Sequence, residues 1–315
     1  MRGKLDREPF QHWAVSSRLS PLQHLLAALA LGAELVAPRP AEACGACGAG
    51  DTGLTAVGAG APGEQRFRAS AELRFGSVTL GGPRDETHVD EQRLDFTATY
   101  TLIPRLRVSA IVPVLRRDVA LRDRAASSFV ALGDMEARVD GALSVDLRPP
   151  LRRALTLFGG ARLPTAPEQS DSGAPLPAAL QPGWGAIAPF VGASYSLGWD
   201  RFNATLAAAL YLPFAVRPGP HAGSALRTSA ALAFAPHAKV ALRWGIQAKL
   251  EASTESNGAD DPNSGGFLGF VTTEILVAPS PGWTCSIGGY FPALQFLRGA
   301  HRQGTIAGAS AAYSF

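Results

Sequence analysis

The chain has 315 residues, a formal net charge of +3 and only 17% charged residues, and its mean hydropathy is +0.07. A near-balanced charge leaves no basic footprint for nucleic acid, and so low a hydropathy excludes a bundle of membrane-spanning helices. It does not exclude a β-barrel, in which only alternate residues meet lipid.

The one continuous apolar segment is residues 25–37, broken by Glu34. Arg18 precedes it, and Ala41-Glu42-Ala43 follows as a small-x-small cleavage site. This is the pattern of a secretory signal peptide, residues 1–43, cut after Ala43. It is too short to span a bilayer as a helix. The stretch before it is long, charged on both signs and contains Trp13; a misplaced start, with Val15 as the true initiator, is one explanation. Cleavage makes Cys44 the first mature residue, so a lipoprotein signal is the rival reading, although Ala41 and Glu42 match a lipobox poorly.

Residues 44–51 read Cys-Gly-Ala-Cys-Gly-Ala-Gly-Asp. Cys44 and Cys47 at this spacing suit a tight disulfide, a metal or a redox pair. Two thiols are too few for zinc unless other ligands join, Asp51 being the nearest. In an oxidising compartment a local disulfide is the default, and no metal or cofactor is expected. Residues 44–65 are Gly/Ala-rich, and form either a plug folded into a lumen or a flexible periplasmic arm.

From residue 66 a period-two rhythm runs to the C-terminus. In 66–75, Phe67, Ala69, Ala71, Leu73 and Phe75 alternate with Arg66, Arg68, Ser70, Glu72 and Arg74. Successive strand side chains point to opposite faces, so one face is apolar and the other ionic. In 93–102, Leu94, Phe96, Ala98, Tyr100 and Leu102 oppose Arg93, Asp95 and threonines. After 105–115, the stretch 134–147 sets Met135, Ala137, Val139, Gly141, Leu143, Val145 and Leu147 against Asp134, Glu136, Arg138 and Asp140. Stretches 153–163, 184–199, 201–213 and 225–235 keep the pattern with less charge. In 239–252, Val240, Leu242, Trp244, Ile246, Ala248 and Leu250 oppose Arg243, Gln247, Lys249 and Glu251. Stretches 267–278, with Glu274, then 283–291 and 303–315 complete the set. Cys285, between Trp283 and Ile287, reads as a small apolar residue on a strand face.

These are about twelve strands of about ten residues, the spanning length of a tilted transmembrane strand. Their connections sort by length. Residues 103–104, 148–152, 199–200, 236–238 and 279–282 are short; 76–92, 116–133, 164–183, 214–224, 253–266 and 292–302 are long. Tight turns on one side and extended loops on the other are expected of a membrane barrel; a soluble sandwich has no reason to sort its loops in this way. The expected fold over 66–315 is therefore all-β, a transmembrane antiparallel up-and-down β-barrel of about twelve strands. Its place is the outer membrane of a Gram-negative bacterium, with both termini periplasmic.

The terminal Phe315, with Tyr313 and Ala311 on the same face, resembles the C-terminal signature of bacterial outer-membrane barrels that the insertion machinery reads. The alternative is an aromatic girdle residue. The segment Cys47-Gly48-Ala49-Gly50-Asp51 followed by Leu54-Thr55, behind a signal peptide and ahead of an alternating barrel, resembles proteobacterial outer-membrane transporter barrels related to the family named for the meta-pathway of phenol degradation. The close match covers residues 44–55. Members often carry Pro after the Asp, where this chain has Thr52. The resemblance implies a small barrel that passes small or hydrophobic molecules, without assigned catalytic residues.

The lumen face would carry Arg66, Arg68, Glu72, Arg74, Arg93, Asp95, Asp134, Glu136, Arg138, Asp140, Arg243, Lys249, Glu251 and Glu274. Mixed signs suggest ion pairs between neighbouring strands; the functional alternative is a constriction that selects permeants by charge. So narrow a barrel filled with long side chains argues against a wide pore. Outer-membrane phospholipases carry His two residues before Ser-Asn-Gly; here Thr254 occupies that place before Ser256-Asn257-Gly258, leaving no general base. The acidic loop with Glu255, Asp260 and Asp261 lacks the ligand spacing of a calcium loop. The expectation is a passive channel or transporter for small molecules rather than an enzyme. The alternatives are a non-conducting surface barrel with a filled lumen and, behind it, a lipase-like enzyme. Its partners would be outer-membrane lipids and the insertion machinery, with an unknown small permeant and no nucleic acid.

Overall fold

The structure, a computed structural model, describes residues 66–315 except 83–85, 122–126, 147, 149, 172–173, 177–179, 217–220, 257–258 and 262–263. The expected signal peptide, Cys44, Cys47 and the Gly/Ala-rich arm lie outside the described residues, as does most of the Ser256-Asn257-Gly258 motif.

Twelve strands form one ring. They are β1 (Phe67–Leu80), β2 (Thr87–Ile103), β3 (Leu106–Leu121), β4 in two parts (Ser127–Leu132 and Met135–Asp146), β5 (Leu151–Leu163) and β6 (Ala186–Trp199). There follow β7 (Phe202–Tyr211), β8 (Ala225–His237), β9 (Val240–Glu251), β10 (Gly266–Val277), β11 (Trp283–Leu297) and β12 (Ile306–Ser314). Each strand pairs antiparallel with its sequence neighbours, and β12 returns to β1 with Ser314 opposite Arg68 and Ala307 opposite Phe75. The sheet has no free edge, so every strand finds its backbone partners within the ring.

The period-two expectation holds around the ring. Val191, Ile246 and Ile287 on the outward face are 60%, 61% and 63% exposed, whereas Arg74, Asp95, Glu136 and Arg138 on the inner face are buried. An apolar belt left bare on the outside is costly in water and favourable in hydrocarbon. Aromatic residues collect at the end with the short turns. Trp199 stacks on Phe202 at 5.5 Å, and Phe202 packs tilted against Phe234 at 5.0 Å. Further round, Trp283, Tyr313, Phe315 and Phe67 pack in series at 5.1, 4.6 and 5.3 Å. The Phe315 N–H donates to the Phe67 carbonyl at 2.8 Å, fastening the last residue to the first strand. Such a girdle is where amphipathic rings settle at a membrane interface.

Two expectations need correction. The long connections are shorter than read, because β1 runs on to Leu80, β2 starts at Thr87, β3 reaches Leu121 and β11 reaches Leu297. In β1 to β3 the outward positions there turn polar, with His88, Asp90, Arg116 and Asp118, so the apolar rhythm stops while pairing continues. In β11 a bulge opposite Gly269 and Phe270 shifts the parity, and Leu294 and Phe296 face outward beyond it. Next, a bulge between Ala142 and Ser144 breaks the alternation of β4: Gly141 faces Leu157, Ser144 faces Leu155 and Val145 faces Ala154. An extra residue in one strand flips the faces beyond it, so Val145 leaves the outer face. Arg66 precedes β1 and is exposed.

Candidate functional site: the barrel lumen

The lumen changes character along its axis. Towards the long loops it is packed. Leu80, Val89, Val119 and Leu180 form an apolar cluster joined by Val78, Phe129 and Leu176. A second cluster holds Phe158, Phe190, Ala207, Ala209, Tyr211 and Ala225 against Trp184, and a third holds Leu268, Phe270 and Ile306 with Tyr290 and Leu297. Glycines make room for the rings: a Cβ on Gly192 would lie 2.4 Å from Cζ of Phe158, so only glycine fits beneath that side chain.

Among these clusters runs a network of ion pairs that follows from the strand register. Glu72 stands opposite Asp95, and Arg74 opposite Arg93, both like with like. The conflict resolves on the diagonal: Arg74 donates to Asp95 Oδ2, and Arg93 Nε donates to Asp95 Oδ1 at 2.8 Å. Direct opposites carry unlike charge at two other places, with Glu136 facing Arg162 at 3.1 Å and Arg243 paired with Glu274, whereas Arg227 stands opposite Lys249. Arg117 holds Glu91 at 2.7 Å, Arg138 holds Asp140 at 2.6 Å and Lys249 holds Glu251 at 2.6 Å. Buried charges persist only when paired in this manner.

Between β5 and β6, the described residues of 164–185 fold into the same end of the barrel as a strap. Leu176 and Leu180 enter the apolar cluster. The Gln181 side chain ties the strap to itself, accepting from the Gln169 N–H at 2.9 Å and donating to the Leu176 carbonyl at 2.8 Å. Its backbone carbonyl accepts from Arg117 Nη1 at 2.8 Å, tying the strap to the wall. The Trp184 ring lies 4.4 Å from Arg162 Cζ, 5.3 Å from Arg227 Cζ and 6.0 Å from Lys249 Nζ. Three cations over one indole is a strong anchor, each contact contributing about 0.5–2 kcal/mol.

Towards the short turns the lumen is open. A cavity of about 380 Å3 is lined by Arg68, Glu72, Arg107, Arg138, Asp140 and Glu274 among hydroxyl and small side chains. A second space of about 310 Å3 forms the mouth, with Arg105, Arg152 and Arg201 around it.

The predicted lumen residues thus fall into groups with different surroundings. Arg68, Glu72, Arg138, Asp140, Arg243 and Glu274 line the open cavity. Arg74, Arg93, Asp95 and Glu136 belong to the packed network, and Lys249 and Glu251 lie beside the Trp184 anchor. Asp134 lies in the break of β4 and binds the strap. Tyr313 and Phe315 belong to the girdle. Sequence reasoning missed Glu91, Arg107, Arg117, Arg162, Arg227, Trp184 and Tyr211. The first five lie on the inner parity of their strands, so extending the alternation would have found them.

No family model and no curated protein matches the chain. Among solved structures, it is similar to an outer membrane channel of Pseudomonas putida F1, at 9% identity and TM-score 0.63, covering 80% of this chain and 96% of that one. It is also similar to the transport unit of the autotransporter AIDA-I from Escherichia coli, at 8% identity and TM-score 0.50, covering 80% and 91%. The fold is that of an outer-membrane β-barrel of twelve antiparallel strands.

Proposed function

We propose that this chain is an outer-membrane channel for passive passage of small molecules, hydrophobic ones included. The observation that carries the reading is a polar-lined cavity inside a closed ring whose whole outward belt is apolar. Passage is passive because the chain has no nucleotide-binding or energy-coupling motif. Arg68, Glu72, Arg138, Asp140, Arg243 and Glu274 are the residues that would select permeants by charge. The short turns and the C-terminus face the periplasm, and Tyr313 with Phe315 forms the signal that the insertion machinery reads. The resemblance of residues 44–55 to the transporters related to the phenol meta-pathway family supports the same reading, and the purified protein in planar bilayers tests it. Discrete conductance steps support the channel; persistent silence with and without the strap removes it.

A second reading, a non-conducting barrel whose loops contact partners, is favoured by one feature: the loop end of the lumen is filled by ion pairs, apolar clusters and the strap. Release of the strap separates the two, because a gated channel then conducts and a solid barrel stays silent.

A further inference from the structure

The open half of the lumen is cationic well beyond what a neutral permeant needs. The cavity and its mouth are lined by eight arginines and four carboxylates. Asp140 and Glu274 are engaged by Arg138 and Arg243, and Glu72 lies 3.5 Å from Arg74 Nε. Arg68 of β1 and Arg107 of β3 stand on either side of β2: Arg68 faces Thr99, Thr99 faces Ser109, and Arg107 faces Thr101. The two guanidinium groups therefore share one sector of the cavity, and Thr97, Thr99 and Ser109 line it with them. Arg107 also stands opposite Asp140, yet the cavity and its mouth together carry four more arginines than carboxylates, and in a confined, poorly screened space that excess favours an added anion. A guanidinium fork matches the two oxygens of a carboxylate. The wall also carries Ile111 and Leu276, and about 380 Å3 is room for an organic body rather than a bare inorganic ion.

We infer that this vestibule is a binding site for a small organic carboxylate with an apolar body. Arg68 and Arg107 hold its carboxylate, and Arg105, Arg152 and Arg201 at the mouth draw it in. The inference names the permeant class of the proposed channel and rests on that reading only in taking the lumen as the route of passage.

The test uses the full barrel purified in detergent, with benzoate as probe and benzyl alcohol as its neutral counterpart, by calorimetric titration. Benzoate is expected to bind saturably, at least tenfold more tightly than benzyl alcohol, and to weaken as salt rises. Arg107→Gln and Arg68→Gln should each weaken benzoate at least tenfold, with Arg107→Lys intermediate. Arg148→Gln, at the exposed rim where Arg148 pairs with Asp146, should leave it unchanged. A heat-dependent gel shift confirms that each variant is folded, and Arg107→Lys serves where Arg107→Gln is not. Equal binding of the two probes, no saturable binding of benzoate, or full benzoate affinity in folded Arg107→Gln overturns the site. Conductance is read separately. Benzoate held by a silent barrel removes the channel and keeps the site; conductance without benzoate binding removes the site and keeps the channel.

Discussion

The carboxylate of Asp134 accepts the Trp184 N–H at 2.5 Å and the Ala166 N–H at 3.1 Å, so one side chain grips both ends of the strap. It can do so because β4 breaks at Gly133–Asp134, freeing this residue from the ladder. Asp134→Ala leaves two amide donors unpaired, at about 1–3 kcal/mol each where they remain buried. The expected result is a strap that is cleaved by added protease within residues 164–185 and a several-fold rise in conductance. Unchanged conductance together with unchanged protease resistance would show that the strap does not gate.

Arg74 and Asp95 are both fully buried, and their pairing holds the centre of the ionic network. Arg74→Met strips a buried carboxylate of one partner, a loss of about 3–5 kcal/mol in such pairs. The expected loss lies at the low end, because Arg93 keeps its hold on Asp95. Arg74→Met with Asp95→Leu should recover part of it: no carboxylate is left at position 95 without its partner, although Arg93 loses its acceptor and Glu72 its neighbouring cation. Urea unfolding of the barrel in vesicles reads both; a double variant no more stable than the single one would argue against this account.

His301 lies in the 298–305 connection, buried, and its Nδ1 accepts the Gly81 N–H at 3.3 Å. Burial lowers its pKa from about 6.5 to about 4, against the smaller opposing effect of Asp261. A depressed histidine pKa means that the closed arrangement prefers the neutral ring. Its contribution is intact above about pH 6.5 and is lost as pH falls towards 4. Once protonated, Nδ1 can no longer accept. Amide exchange at Gly81, corrected for its intrinsic pH dependence, should therefore speed up across this window in the wild type. In His301→Gln the corrected rate should stay flat; a wild-type rate that is equally flat would rule out the contact.

Much of the barrel was legible because one physical rule, alternation of faces, was sampled a dozen times. Phe67 to Phe75 and Val240 to Leu250 read correctly because the outward residues there are apolar. The rule fails where its cause does. Past Phe75 the outward Ser77 and Thr79 are polar, so the strand continues without its signature. At Ala142 a single bulge reverses the parity, which no periodicity announces. The charged lumen could be listed from parity, but not divided into network and cavity, because Arg74 and Arg68 differ only in depth. The strap was read as an ordinary loop: its grip comes from Asp134, Arg117 and Arg162, which meet Trp184 and Gln181 only in the folded ring.

The most direct test of the barrel itself is a nitroxide scan of residues 243–250 in lipid bilayers, read for collisions with oxygen and with a water-soluble nickel complex. Oxygen accessibility should peak at Trp244, Ile246, Ala248 and Leu250 and fall at Arg243, Gly245, Gln247 and Lys249, with the nickel complex excluded from the first set. Nickel access to Ile246, or no alternation along the strand, would contradict an outward face lying in hydrocarbon.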